Sequence, residues 1–97
     1  MTRTEVIANR AIEEDLLDEF TRENVAGYHT RIPGVHGVGN SGERRGDHIW
    51  PEENILFLFY TDAESGTRIV SAVRRVKGRF PNEGIRLFQF EAEITEV

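Results

Sequence analysis

Six consecutive apolar residues, Ile55-Leu-Phe-Leu-Phe-Tyr60, form the longest apolar run in the chain and restrict its fold more than any other segment. The run is far shorter than the roughly 20 residues a membrane-spanning helix needs, and its aromatic content reads as a strand. Successive strand residues point to opposite faces, so large apolar groups stand on both sides of this one. A sheet covered by helices on one side should instead alternate apolar with polar. One reading is a central strand that is simply well filled. The other is that something covers the second face, and with no third helix in the sequence the economical cover is another subunit of a closed homo-oligomer.

The flanking patterns supply the rest of the sheet. Residues 2 to 8 alternate loosely as a first strand, and Asn9 can cap the helix after it. Glu13, Glu14 and Asp15 fall in a first helical turn, where acids complement the helix dipole, and Leu16, Leu17 and Phe20 form an apolar stripe. This helix is expected to close near Asn24 to Gly27, with Gly27 as the left-handed stop. Tyr28 to Val35 reads as a second strand and Asn54 to Tyr60 as a third. Thr61-x-x-Glu64 has the form of a capping box; Ile69, Val73 and Val76 recur at helical spacing behind it, with Arg74, Arg75 and Lys77 near the C-terminal end. That helix is expected to stop at Gly78. After the turn Phe80-Pro-Asn-Glu-Gly84, Ile85 to Ile94 reads as a fourth strand. The expected architecture is one α+β domain over residues 1–97: a ferredoxin-like βαββαβ antiparallel sheet, two helices on one face, and a long loop between strands two and three.

At 97 residues the chain buries roughly 60 to 70% of the surface its unfolded form exposes. The absence of cysteine removes disulfides, thiolate chemistry and Cys-ligated zinc. No charged-then-apolar signal segment opens the sequence, so a cytoplasmic location is expected. A net charge of −5 opposes broad nucleic-acid affinity. Residues 28 to 48 nevertheless carry Arg31, Arg44 and Arg45 against Glu43 and Asp47, a local +1 that leaves −6 elsewhere, and they hold all three histidines.

Five of the nine glycines lie in Gly34-Val-His-Gly-Val-Gly-Asn-Ser-Gly-Glu-Arg-Arg-Gly46. Residues 37 to 42 spell G-x-G-x-x-G, but a dinucleotide fold needs a helix to follow, and here Pro51 and a strand follow instead. From Val38 to Glu53 there is almost no apolar periodicity, and loops of this length in compact domains are usually functional or disordered. Glycine-rich backbone can converge its N–H groups into an anion nest, with Arg44 and Arg45 offering bidentate contacts. The plainer alternative is a surface loop with solvated arginines. His29, His36 and His48 are separated by six and eleven intervening residues, unlike the i, i+4 pairs of helical metal sites; a metal would require His36 and His48 to converge. Ser41 lacks the strand-turn-helix context of a nucleophile elbow. The adjacent pairs Glu13/Glu14 and Glu52/Glu53 do not face each other as catalytic carboxylates would. The chain reads as a non-enzyme. Trp50 either anchors a partner or folds back on its own protein or a neighbouring subunit.

These residues together resemble the PII-like signal-transduction proteins over nearly the whole chain. The resemblance rests on the element order and on Gly27-Tyr-His-Thr-Arg31 entering strand two. It rests also on Gly37 and Gly39, on Arg44-Arg45-Gly46 in a loop placed like the T-loop at about 38–53, and on Gly78-Arg-Phe-Pro-Asn-Glu-Gly84 placed like the B-loop. It implies a homotrimer whose sheets pack inward, binding adenine nucleotides in clefts between subunits. It also implies a T-loop that docks on a membrane transporter or an enzyme in nitrogen regulation. The implied ligand-binding residues are Gly37, Gly39, Arg44, Arg45, Gly46, Gly78, Arg79 and Gly84. The departures are specific. Phe80-Pro81-Asn82-Glu83 replaces the glycine-acid-glycine-lysine run of the B-loop, the T-loop has no tyrosine for uridylylation, and Glu91 to Val97 holds no arginine. A smaller or less charged ligand is the consequence. Ile32-Pro33-Gly34-Val35 and Trp50 also resemble CutA, a trimeric relative linked to divalent-metal tolerance, which implies metal binding at His36 and His48. A scaffolding trimer without ligand is a third reading. An RNA-recognition domain shares the element order, but strand three lacks its Lys/Arg-Gly-aromatic run.

Overall fold

The structure is a computed structural model that describes residues 1–37 and 53–97. The expectations placed on Gly39, Arg44, Arg45, Gly46, His48 and Trp50 lie outside the described residues. The elements are β1 (Thr2–Asn9), a 3-10 turn (Arg10–Ile12), α1 (Glu13–Arg22), a second 3-10 turn (Ala26–Tyr28), β2 (His29–His36), β3 (Glu53–Thr61), α2 (Ala63–Arg79) and β4 (Ile85–Glu91). The strands form one sheet in the order β2-β3-β1-β4, antiparallel at every pairing. This is the ferredoxin-like α+β arrangement expected from the sequence.

Strand parity sorts the side chains. Val6 and Ala8 of β1 and Ile55, Phe57 and Phe59 of β3 face the helices and are buried against Leu16, Phe20, Ile69, Ala72 and Val76. Phe20 sits at the centre, edge-on to Phe57 at 5.3 Å and to Phe59 at 5.0 Å between ring centroids, a favoured aromatic geometry. His29 adds edge contacts to the same two rings, and its Nδ1 donates to the Ala26 carbonyl. Gly66 lets α2 approach the sheet closely. A Cβ there would stand 3.3 Å from both Gln89 and Thr2, and Gln89 Nε2 uses the space to donate to the Gly66 carbonyl and to Thr4 Oγ1.

Charged groups clamp the two helices. Arg75 donates through Nε to Glu19 and through a terminal nitrogen to Glu23, each at 2.6 Å, and Arg79 approaches Asp15 and Glu19 at 3.8 and 3.7 Å. The hydrogen bond from Arg75 holds the Glu19 carboxyl below its ordinary pKa, against the opposing effect of burial.

Strand ends shift by a residue, Asn9 caps the 3-10 turn and not α1 itself, and four further boundaries differ from the sequence reading for a local reason. The left-handed residue after α1 is Asn24, with φ 59°, and not Gly27. The Val25 N–H bonds back to the Phe20 carbonyl, which tucks Val25 fully into the core, so the reversal must come immediately before it; Asn tolerates this conformation. The cap of α2 is Asp62 and not Thr61. Asp62 accepts from the Ser65 N–H at 2.7 Å, and that bond lowers its pKa, while Thr61 stays in β3 as a buried sheet residue. Helix α2 passes Gly78 and ends at Arg79 with Phe80 as its C-cap, because Pro81 disfavours helical backbone in the residue before it. Strand β4 stops at Glu91 and not Ile94, since its partner β1 begins at Thr2, opposite Glu91.

The opposite face of the sheet carries three rows across β3, β1 and β4: Tyr60–Arg3–Phe90, Leu58–Glu5–Phe88 and Leu56–Ile7–Arg86. Strand β3 is apolar on both sides, as expected. No element among the described residues covers this second face, and Tyr60, Phe88 and Phe90 are 45, 47 and 48% exposed.

Candidate functional site at the stem of the long loop

Strand β2 ends in a bulge. Its register against β3 shifts between Pro33 and Val35, and the intervening Gly34 has φ +73°, a conformation that favours glycine. Proline cannot donate to a ladder, so an edge strand and a bulge are where it is tolerated; β2 is such an edge. Beyond the bulge Val35 faces Asn54 and His36 faces Glu53. The bulge therefore re-aims the chain just where residues 38–52 leave and return.

Beside it lies a cleft of about 290 Å³ lined by Arg10, Glu13, Arg31, Pro33, Gly34, Glu53, Asn54 and Ile55. Arg10 bonds Glu53 at 2.8 Å, and Arg31 donates from Nε to Glu13. The Glu13 bond raises the Arg31 pKa above the ordinary arginine value. Two guanidiniums thus face two carboxylates in a cleft of no net charge. An anion entering it would meet the guanidinium donors of Arg10 and Arg31 beside the carboxylates of Glu13 and Glu53 that already hold one nitrogen of each.

The predicted site residues fall into two groups. Gly37 lies on the stem, where an added Cβ would meet Asn54 Nδ2 at 3.5 Å. His36 lies opposite Glu53, and no group of three or more metal-binding side chains occurs among the described residues. Gly78 and Arg79 are the last two residues of α2, and Gly84 closes the turn between α2 and β4. Gly78 and Gly84 have open space where a side chain would stand. Arg79 is directed to the acids of α1 and lies over the Phe80 ring at 5.8 Å. Lys77, the chain's single lysine, organises this turn: its Nζ donates to the carbonyls of Pro81 at 2.8 Å and Glu83 at 2.6 Å. The turn is thereby closed on itself and spends its cation internally.

Stem and turn sit at the same end of the sheet, since Ile85 pairs with Ala8 and Asn54 with Asn9. They belong to opposite edge strands, three inter-strand spacings apart, or about 14 Å. One chain does not bring them together. Sequence reasoning missed Arg10, Glu13, Arg31 and Glu53 as cleft residues, and Lys77 as the turn's organiser. The Pro33-Gly34 pair inside a strand was the signal available for the bulge.

No protein-family model matches the chain, and no curated protein matches it. Solved structures do. CPII, a nitrogen regulatory PII-like protein from Thiomonas intermedia K12 solved with ADP, AMP and bicarbonate, superposes with a TM-score of 0.73 at 17% identity, covering 99% of this chain and 93% of that one. A protein from Thermus thermophilus assigned to PII-like signalling gives 0.60 at 19% identity, covering 92% and 83%. The apo form of CPII gives 0.59 at 12% identity, covering 92% and 87%. The chain has the fold of the PII-like proteins. No helix of the described residues is long and apolar enough to cross a membrane.

Proposed function

We propose that this protein is a PII-like regulator, a homotrimer that binds a small anionic effector, an adenine nucleotide, in clefts between subunits. It would signal to a transporter or enzyme through residues 38–53. The observation that carries this reading is the placement of a charged cleft and a bulged stem at the root of the long loop, at the same sheet end as the 80–84 turn. Because stem and turn lie on opposite edges, a site using both must draw them from two subunits. The nucleotide and bicarbonate of CPII are ligands of the kind such a site would take. Gly37 and Gly39 would line it, Arg44, Arg45 and Gly46 would close over it, and Gly78, Arg79 and Gly84 would come from the neighbour. A turn whose lysine is occupied by its own carbonyls favours AMP or ADP over ATP. On this reading the protein acts by binding and not by catalysis, in the cytoplasm.

Calorimetric titration with AMP, ADP, ATP and bicarbonate, on protein whose mass is fixed by light scattering, tests it. Saturable binding of AMP or ADP, weakened by Arg44→Ala, is the expected result. A trimer indifferent to all four ligands, yet taking up zinc or copper through His36 and His48, would replace this reading with the metal-binding one.

A further inference from the structure

Lys77 differs from every other cation that the described residues hold in place. Where the described arginines are ion-paired, the partner is a carboxylate. Lys77 instead donates to two backbone carbonyls, of Pro81 at 2.8 Å and of Glu83 at 2.6 Å, and no carboxylate pairs with it among the described residues. The Glu83 N–H closes the turn on the Phe80 carbonyl at 3.0 Å, so both acceptors stand on a hydrogen-bonded backbone. An ammonium has three donors. Two are spent within the turn. The third donor and the whole of the positive charge are not, because carbonyls are neutral. Lys77 is exposed, and its turn lies at the sheet end that also carries the loop stem. A lysine left to itself gives up rotamer freedom when it binds an anion; here the turn has already fixed the side chain.

We infer that Lys77 is the anion-recognising residue of the turn, its third N–H and its unneutralised charge receiving a phosphate group of the effector. This deepens the effector reading above and rests on it, and it adds a residue to the half of the site expected at Gly78, Arg79 and Gly84. A compact point charge with one free donor suits a single phosphoryl group; the planar two-bond grip on a carboxylate belongs to a guanidinium. Arg79 is already drawn to Asp15 and Glu19 of α1. The cleft at the stem pairs Arg10 with Glu53 and Arg31 with Glu13, so Lys77 supplies a net positive charge that the cleft does not.

Because Lys77 is the chain's single lysine, the unmutated protein can be tested. An amine-acetylating reagent finds two amines, Lys77 and the α-amino group of Met1, and Met1 stands at the opposite end of β1, which makes it an internal control. Calorimetry first gives the affinities for AMP and adenosine. Peptide mass spectrometry then follows acetylation of each amine without ligand, and with AMP or adenosine filling the same share of sites. AMP should slow acetylation of Lys77 in proportion to occupancy and leave Met1 unchanged; adenosine should leave both unchanged. Lys77→Met, checked for folding by circular dichroism, should bind AMP about 10-fold more weakly and adenosine as the wild type does, and Lys77→Arg should recover part of the loss because the charge is kept. If AMP binds while Lys77 is acetylated as fast as before, or if Lys77→Met weakens AMP and adenosine equally, Lys77 only shapes the turn, and the effector reading stands without it. A wild-type protein that binds neither AMP nor ADP overturns both.

Discussion

The two sides of β3 are built from similar letters and stand in different surroundings. Ile55, Phe57 and Phe59 point into the helix layer and are at most 1% exposed; Leu56, Leu58 and Tyr60 alternate with them and point to the open face. Each side also carries a charged cluster. On the helix side, Arg75 meets Glu19 and Glu23 with its hydrogen bonds made. On the open side, Arg3 keeps one donor unpaired. The covered side is packed within one chain, whereas the open side leaves Tyr60, Phe88 and Phe90 about half exposed. Hydrophobicity alone therefore does not separate the two faces of β3; what packs against each does.

The largest expected effect tests the covered side. Phe57→Ala removes a ring packed on Phe20 and His29 and should cost about 3–5 kcal/mol of unfolding free energy, measured by urea denaturation on dilute protein. A loss under about 1 kcal/mol would mean that the helix layer is not where stability resides. One residue along, Leu58→Asp should act on the assembly of the proposed homotrimer. The half-assembly concentration should rise by about 100-fold, equivalent to about 2.7 kcal/mol, while the dilute monomer keeps its helical circular dichroism. If Leu58→Asp unfolds the dilute chain as severely as Phe57→Ala, the division between the two sides fails.

The charged clamp gives a third test, through pH. The folded-state pKa of Glu19 lies below its ordinary 4.5, mainly because of the Arg75 hydrogen bond. A lowered carboxylate pKa contributes stability that is fully present above the unfolded value and is lost as pH falls through the folded one. Wild-type stability should therefore decline as acid is added below about pH 4.5, and Glu19→Gln should be less stable at neutral pH with a flatter acid limb. Asp62, lowered by its bond to the Ser65 backbone, contributes in the same direction, so part of the acid sensitivity should survive in Glu19→Gln. An unchanged acid limb would show that the clamp does not couple to folding.

How much was legible in the sequence depends on how local each cause is. Period-two parity in six letters was enough to place apolar groups on both faces of β3, because strand geometry alone decides it. The order of elements came from equally local patterns. The cleft was not legible, since Arg31 and Glu13 are 18 residues apart and Arg10 and Glu53 are 43 apart; only the packed sheet brings them together. Nor was the role of Lys77, whose charge suggested a helix-dipole contact and whose partners are carbonyls of a turn it helps to shape. Glycine misled where tertiary burial overruled local preference: of Gly34 and Gly37, only Gly34 takes a positive φ among the described residues, and the register of β2 on β3 selects it.

The smallest effect concerns the passage from the helix layer to the edge strand, where the local rule and the buried core disagree. Glycine-stop logic makes Gly27 the sensitive position and Asn24 replaceable. The structure reverses this. Asn24 holds φ 59° so that Val25 can enter the core with no exposure, whereas Gly27 lies inside a 3-10 turn with open space where a Cβ would stand. Replacing Asn24 with Ala places a Cβ in the left-handed region and should cost about 1 kcal/mol. Gly27→Ala should be neutral or stabilising by about 0.4 kcal/mol, because it restricts the unfolded chain without straining the folded one. Paired urea curves on the two variants decide the matter. The reverse ranking would mean that the helix ends at Gly27 in solution and that Val25 is not anchored, which would also loosen the entry to β2 and the cleft beyond it.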